Sequence, residues 1–339
     1  MISNMVQRIL HLKFQKFYFI IIIFGLLTLL PLLIRGPFYS HILIMIFLHA
    51  AAAASWNLIG GYAGQLSLGH AAFYGIGAYT STLLLIQQNI SPWIGMLAGG
   101  VMAAVVAGLV SFPCFKLRGP FFTLATIAFA EVVRILAIYY RGLTRGAIGI
   151  TIPFRPGLEN LMFHGKTAYC YFALVIMLTI FLVTYSIEKS RLGYYLVALR
   201  EDEDAAQALG VNTTLCKLIA MMVSAFFTAI CGTLAAQYVL FIEPISEFSI
   251  DRSVLFALIS IIGGIGTTSG PIIGSFILTP LQEFLRAWLG GQYQGLHIFI
   301  YGCILIAVVI LLPEGVIVWI KAMGKHAFSF NPKLKLRKG

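Results

Sequence analysis

Long apolar runs, separated by short breaks rich in Gly, Pro, Lys and Arg, occupy most of this chain. The runs predicted to cross a membrane are 17–34, 41–59, 66–86, 93–115, 120–140, 168–187, 215–241, 252–262 together with 271–289, and 296–312. A helix needs about 20 apolar residues to cross about 30 Å of hydrocarbon. The run 252–262 is too short to do so alone, and predicts either a half-helix that folds back or a break at membrane depth. The expected architecture is all-α: a polytopic transmembrane helical bundle of about 8–10 membrane segments, with broken or re-entrant helices. Its expected divisions are a tail 1–16, a transmembrane domain 17–312 carrying a polar loop 188–214, and a basic tail 313–339. The run 17–34 is longer than a signal-peptide core and no small-x-small cleavage site follows it, so it is expected as a retained span.

Composition sharpens this picture. Of 339 residues, 60% are hydrophobic and 10% charged, which leaves no room for a sizeable soluble domain. The net charge of +11 is distributed in a way that speaks of topology. With the N-terminus inside, fifteen Lys and Arg fall on the cytoplasmic side and six outside, with Arg134 and Arg286 within spans. That asymmetry puts both termini and the loop 188–212 in the cytoplasm. The loop 141–166 carries four basic residues against the trend, and is expected to be an ordered external loop. The basic tail is expected to meet anionic membrane lipids rather than nucleic acid. The five cysteines are scattered without a Cys-x-x-Cys, so neither a disulfide framework nor a zinc site is indicated. Trp56, Trp93, Trp288 and Trp319 fall near span ends, where interfacial anchors sit.

Three stretches interrupt the apolar pattern. Two are glycine-rich breaks, 57–70 and 262–271, each opening with Gly-Gly after an apolar run and leading into another helix. Gly60, Gly64, Gly69, Gly263, Gly266 and Gly270 are candidate packing or hinge glycines. Gln65, Ser67, His70, Thr267, Thr268 and Ser269 are candidates to line a translocation path, since broken backbone is tolerated where it faces protein or a wet cavity. The third is the charged loop 188–212. There Glu201, Asp202, Glu203 and Asp204 precede an Ala-rich segment, and Gly210 can end a helix in the left-handed conformation. It predicts a short helix lying in water between two spans.

Asp204-Ala205-Ala206, with Gly210 four positions beyond Ala206, resembles the Glu-Ala-Ala-x-x-x-Gly loop of ABC importer permeases, with Asp204 in place of the family's Glu. The longer run 199–206 is similar to the branched-chain amino acid branch of that family. Residues 57–82 and 263–274 resemble its two other conserved blocks, so the likeness covers about 56–313 and leaves both tails outside. The resemblance implies a permease subunit of a bacterial inner-membrane ABC importer for branched-chain amino acids. It further implies a second related permease, two ATPase subunits carrying ATP and Mg, and a substrate-binding protein. No cofactor is expected in this chain. Arg200, Glu201, Asp204, Ala205, Ala206 and Gly210 become the residues expected to couple to the ATPase. Related permeases handle urea, amides or sugars, and that leaves the substrate open.

No catalytic constellation competes with this reading. His164-Gly165-Lys166-Thr167 echoes the end of a P-loop, but Asn160 stands where its first glycine is required and the loop is expected outside. The run 264–269 nearly matches a dinucleotide fingerprint without any βαβ context. Within spans, Glu131 with Arg134 and Glu283 with Arg286 have the three-residue spacing of paired charges on one helix face. An ion-driven secondary transporter would also use broken helices, but it would want an unpaired intramembrane carboxylate, and it leaves the loop 188–210 without a purpose.

Overall fold

The computed structural model describes residues 25–34, 36–290, 295–311, 315–317 and 319. The tail 1–16 and the basic residues beyond 319 lie outside them. Residues 25–33 are helical, and eleven longer or functionally placed helices follow. We number these α1 Pro37–Asn57, α2 His70–Gln88, α3 Pro92–Cys114, α4 Pro120–Tyr139, α5 Lys166–Glu188, α6 Arg191–Glu201, α7 Glu203–Ala208, α8 Thr213–Val239, α9 Ile250–Gly264, α10 Gly270–Leu289 and α11 Leu296–Leu311. Proline at the first turn of α1, α3 and α4 starts those helices where its missing N–H costs nothing. Side chains of Asp202 and Asn212 cap α7 and α8, accepting from Ala205 N and Leu215 N, each at 3.0 Å.

Among the described residues, five helices are long and apolar enough to cross a membrane: Pro37–Tyr62, which is α1 with its π-helical extension Leu58–Tyr62, then α3, α4, α5 and α8. Their burial differs sharply. The apolar window of Pro37–Tyr62 is 89% buried, whereas that of α4 is 22% buried. A helix hydrophobic all round that is also buried all round is a central post. So α1 stands in the middle, against α5, α8, α9 and α10, while α4 lies at the edge and shows an apolar face outward. The all-α bundle expected from the apolar pattern is what the chain forms. The one sheet among the described residues is a two-stranded antiparallel pair, β1 Ile150–Thr151 with β2 Phe241–Ile242. It ties the loop 141–166 to the end of α8.

Close backbone approach holds the centre together. A Cβ on Gly77 would run into the Ala229 backbone, and one on Gly232 into the Tyr74 backbone. The short run at 252–262 resolves as the fold-back form: α9 and α10 return against each other, with Gly263 lying on Gly270 and Gly274. Trp56 departs from expectation. It is no interfacial anchor, being fully buried with its indole N–H donating to Ser67 O at 2.6 Å. The apolar run ends near Trp56, but the π-helical turn carries the same helix on, so the residue falls inside the bundle.

Candidate functional site: the junction of two glycine breaks and a charged loop

The first break starts where α1 passes into Leu58–Tyr62 and ends at His70. Between them, residues 64–69 run without helix. This segment is stitched to α4: Thr123 Oγ1 donates to Leu66 O at 2.7 Å, and Leu68 N donates to Thr126 Oγ1 at 3.1 Å. Gly69 lets that segment lie on α4, since a Cβ there would stand 2.6 Å from Thr126 O. The second break, residues 265–269, joins α9 to α10. Thr267 shapes it by donating from Oγ1 to Gly264 O at 2.7 Å and accepting from Gly270 N at 3.1 Å.

The two breaks touch. Asn57, fully buried, donates from Nδ2 to Thr267 O at 2.9 Å and accepts from Gly266 N at 3.0 Å. Gly61 permits this, because a Cβ on it would stand 2.6 Å from Gly266 N. Tyr62 continues the seam. Its hydroxyl donates to Glu188 Oε2 at 2.9 Å and lies 3.0 Å from Thr268 Oγ1, which itself donates to the same carboxylate oxygen. Glu188 is the last residue of α5 and the first of the charged loop.

The loop returns to the seam through Arg200. Its Nη1 donates to Gly61 O at 3.2 Å, and its side chain covers Gly64 and Gly266. A Cβ on Gly64 would stand 2.6 Å from Arg200 Cγ, and one on Gly266 2.6 Å from Arg200 Nη1. Three stretches far apart in sequence therefore meet at one place: both glycine breaks, with Arg200 seated over them.

Beyond Arg200, α7 is fastened to the bundle. Lys217, 1% exposed on α8, donates to both oxygens of Glu203 at 2.6 and 2.7 Å. Arg118 grips Asp204 through two bonds of 3.1 and 2.7 Å, which holds the guanidinium above its ordinary pKa. Lys189, paired with Glu188 at 3.1 Å, is raised for the same reason. The Arg118–Asp204 and Lys189–Glu188 pairs are exposed and contribute little to stability on their own, but they fix the loop's position. Gly210 takes φ 85° and follows α7 as its sequence predicts.

The candidate residues divide under this geometry. Arg200 reaches the seam, while Glu201 holds its guanidinium at 2.8 Å. Asp204 and Ala205 are exposed, but Ala206 is buried against the chain itself. Leu209, 86% exposed, extends the outward face instead. Thr267 and Thr268 lie in the seam, and Ser269 caps α10 next to it. Gln65 is half-buried beside Leu66. His70 is fully buried, its ring nitrogens 3.0 Å from Ser67 Oγ and 2.8 Å from Ser224 Oγ, and it faces no open space. Gly60 lies flat on the Trp56 ring. The sequence offers no signal for the roles of Asn57, Tyr62 and Glu188 in the seam, where their partners lie 80 or more positions away. Of the two charge pairs predicted by spacing, Glu131 and Arg134 do pair. Glu283 instead meets His41 Nε2 at 3.8 Å, and no ion pair joins it to Arg286 among the described residues.

The arrangement offers mechanical linkage. Residues 38–309 match the family described as branched-chain amino acid transport system / permease component. The high-affinity branched-chain amino acid transport system permease protein LivM of Escherichia coli (strain K12) is 28% identical over 344 residues, covering 93% of this chain and 77% of LivM. LivH of the same organism is 26% identical over 285 residues, 79% of this chain and 91% of LivH. The autoinducer 2 import system permease protein LsrC of Salmonella paratyphi B is 27% identical over 250 residues, 65% of this chain and 71% of LsrC. PsaBC from Streptococcus pneumoniae in complex with Fab superposes with a TM-score of 0.46 and 13% identity, over 85% of this chain and 96% of that one. Matched over most of its length, the chain is a multi-pass membrane protein that belongs to the branched-chain amino acid transport permease family.

Proposed function

We propose that this chain is the membrane-spanning subunit of an ATP-driven importer of branched-chain amino acids, and that α6 and α7 form its coupling element. It acts with a second related permease, two ABC ATPase subunits that bind ATP and Mg, and a substrate-binding protein. It sits in the bacterial inner membrane with both termini and the loop 188–212 in the cytoplasm. The observation that carries this reading is Arg200, which connects an exposed charged loop to the seam between the two broken helices. A push on α7 is delivered to both breaks through that side chain, with Glu188, Tyr62 and Thr268 as the second connection.

The substrate rests on coverage. The branched-chain amino acid permease LivM matches 93% of this chain, against 65% for the autoinducer permease LsrC. The docking face on this reading comprises Asp204, Ala205 and Leu209, since these are exposed while Ala206 is not. Ala205→Glu and Leu209→Asp put charge on that face without touching a buried contact. Each is expected to leave insertion and thermal stability unchanged, to reduce recovery of ATPase subunits with the permease at least tenfold, and to abolish ATP-driven leucine uptake in liposomes. Wild-type recovery and uptake in both variants would sink the assignment of α7.

A further inference from the structure

A cavity of about 770 Å³ lies at the end of the bundle away from Arg200. It is bounded by the first half of α1, the starts of α9 and α11, and the ends of α8 and α10. Small-molecule sites commonly occupy about 300–1,000 Å³ and combine apolar walls with a few convergent polar groups. Here Met45, Leu48, Leu255 and Leu258 supply apolar wall. The polar groups have partners that are long or, among the described residues, absent.

Arg252 lies 4.5 Å from the Tyr74 ring centroid. Its hydrogen bonds are long: 3.4 Å to Ser246 O, 3.3 Å to Ser246 Oγ and 3.5 Å to Glu247 Oε1. A well-formed bond of this kind is about 2.9 Å. Glu283, 12% exposed at its side chain, has His41 Nε2 at 3.8 Å, beyond hydrogen-bond reach, and shares the cavity wall with Arg286, to which no ion pair joins it among the described residues. Gln282 Oε1 and the Tyr301 hydroxyl, also in the cavity wall, are buried without a hydrogen-bond partner among the described residues. Glu283 and Gln282 Oε1 are acceptors asking for donors, which an ammonium supplies threefold. Arg252 offers the planar fork that matches a carboxylate.

We infer that this cavity is a transit site for an aliphatic α-amino acid, with the carboxylate on Arg252, the ammonium on Glu283 and Gln282 Oε1, and the side chain against the leucines and Met45. The inference deepens the proposed importer function and rests on it for the amino acid's identity. A lipid headgroup bearing phosphate and ammonium shares this chemistry, and the test separates the two.

The full-length chain, purified in detergent with the subunits that accompany it, is titrated with radiolabelled L-leucine. Saturable binding is expected. Leucinamide, 4-methylpentanoate and phosphoethanolamine are each expected to displace it at least tenfold less well than leucine. Glu283→Gln and Arg252→Gln are expected to weaken binding at least tenfold, and Glu283→Asp and Arg252→Lys to recover part of it. Glu131→Gln, on the exposed face of α4, should bind as wild type. Gel filtration and melting temperature report whether each variant is folded, and the conservative pair gives the reading where a glutamine variant is not. No saturable binding by the wild type, wild-type affinity in folded variants, or stronger displacement by phosphoethanolamine than by leucine would each overturn the site. ATP-driven leucine uptake by wild-type complex in liposomes is measured alongside. Uptake without binding overturns this site alone, and binding without uptake supports it while overturning the importer reading.

Discussion

A glycine can be required for two separate reasons, and Gly64 and Gly210 divide them. Both have positive φ, 67° and 85°. A Cβ on Gly210 would meet nothing within 4 Å, whereas one on Gly64 would meet Arg200 Cγ at 2.6 Å. Gly210→Ala should therefore cost only the left-handed strain, about 1–2 kcal/mol. Gly64→Ala adds the displacement of Arg200 and should cost clearly more in melting temperature. Combining it with Arg200→Ala should recover part of the loss, because the clash goes and the strain stays. Equal destabilisation at the two glycines, or strict additivity with Arg200→Ala, would mean that Arg200 does not rest on Gly64. Lys217 and Glu203 give a second asymmetry. Lys217 is 1% exposed and Glu203 22%. Glu203→Gln leaves a buried cation without its counter-ion, a loss of about 3–5 kcal/mol. Lys217→Met removes the buried charge and leaves a carboxylate that water can reach, so it should cost less. Denaturation in detergent that ranks them the other way would contradict the burial of Lys217.

At the level of elements, the two broken segments are joined by Asn57, by the Tyr62 hydroxyl beside Thr268, and by Arg200 lying over both. Asn57→Leu deprives Gly266 N and Thr267 O of partners inside the protein. Each loss costs about 1–3 kcal/mol, and the seam keeps only its Tyr62 and Arg200 links. The variant is expected to melt lower than wild type by an amount matching at least one such loss, and to transport poorly when folded. A wild-type melting temperature would show that the breaks hold without Asn57. The breaks themselves are legible in the sequence because Gly-Gly and Gly-Pro pairs interrupt long apolar runs, a purely local signal. Their pairing is not, because Asn57 and Gly266 are 209 positions apart and neither has an unusual neighbourhood. The helix of the charged loop is legible from its acidic start and Gly210. Which alanine faces outward is not, since that is decided by Lys217 and Arg118 fastening α7 in one rotation. The same limit explains Glu283: spacing puts Arg286 within its reach, but the fold brings His41 closer from another helix.

Across the whole molecule, four helices run between the Arg200 seam and the cavity. The ends of α1 and α9 and the starts of α8 and α10 lie toward the loop, and their opposite ends reach the cavity. On the proposed topology the loop lies inside. An Arg191→Cys variant should therefore resist an impermeant maleimide in intact cells, while Ile148→Cys, at a position 82% exposed at the far end, should react. A Cys303→Ser background removes the exposed native thiol. Labelling of Arg191→Cys from outside would invert the topology. The far end also sets a pH dependence. Burial raises the Glu247 pKa above its ordinary 4.5, with Glu243 adding to the rise and Arg252 opposing it. Folding thus favours the neutral acid, and this contribution is full below about pH 4.5 and lost as pH climbs through the folded pKa. Glu247→Gln stays neutral throughout. Its melting temperature minus that of wild type should be smallest in acid and grow as pH rises through the folded pKa, then level off. A difference that is flat, or that shrinks with rising pH, would mean that Arg252 stabilises the carboxylate more than burial penalises it.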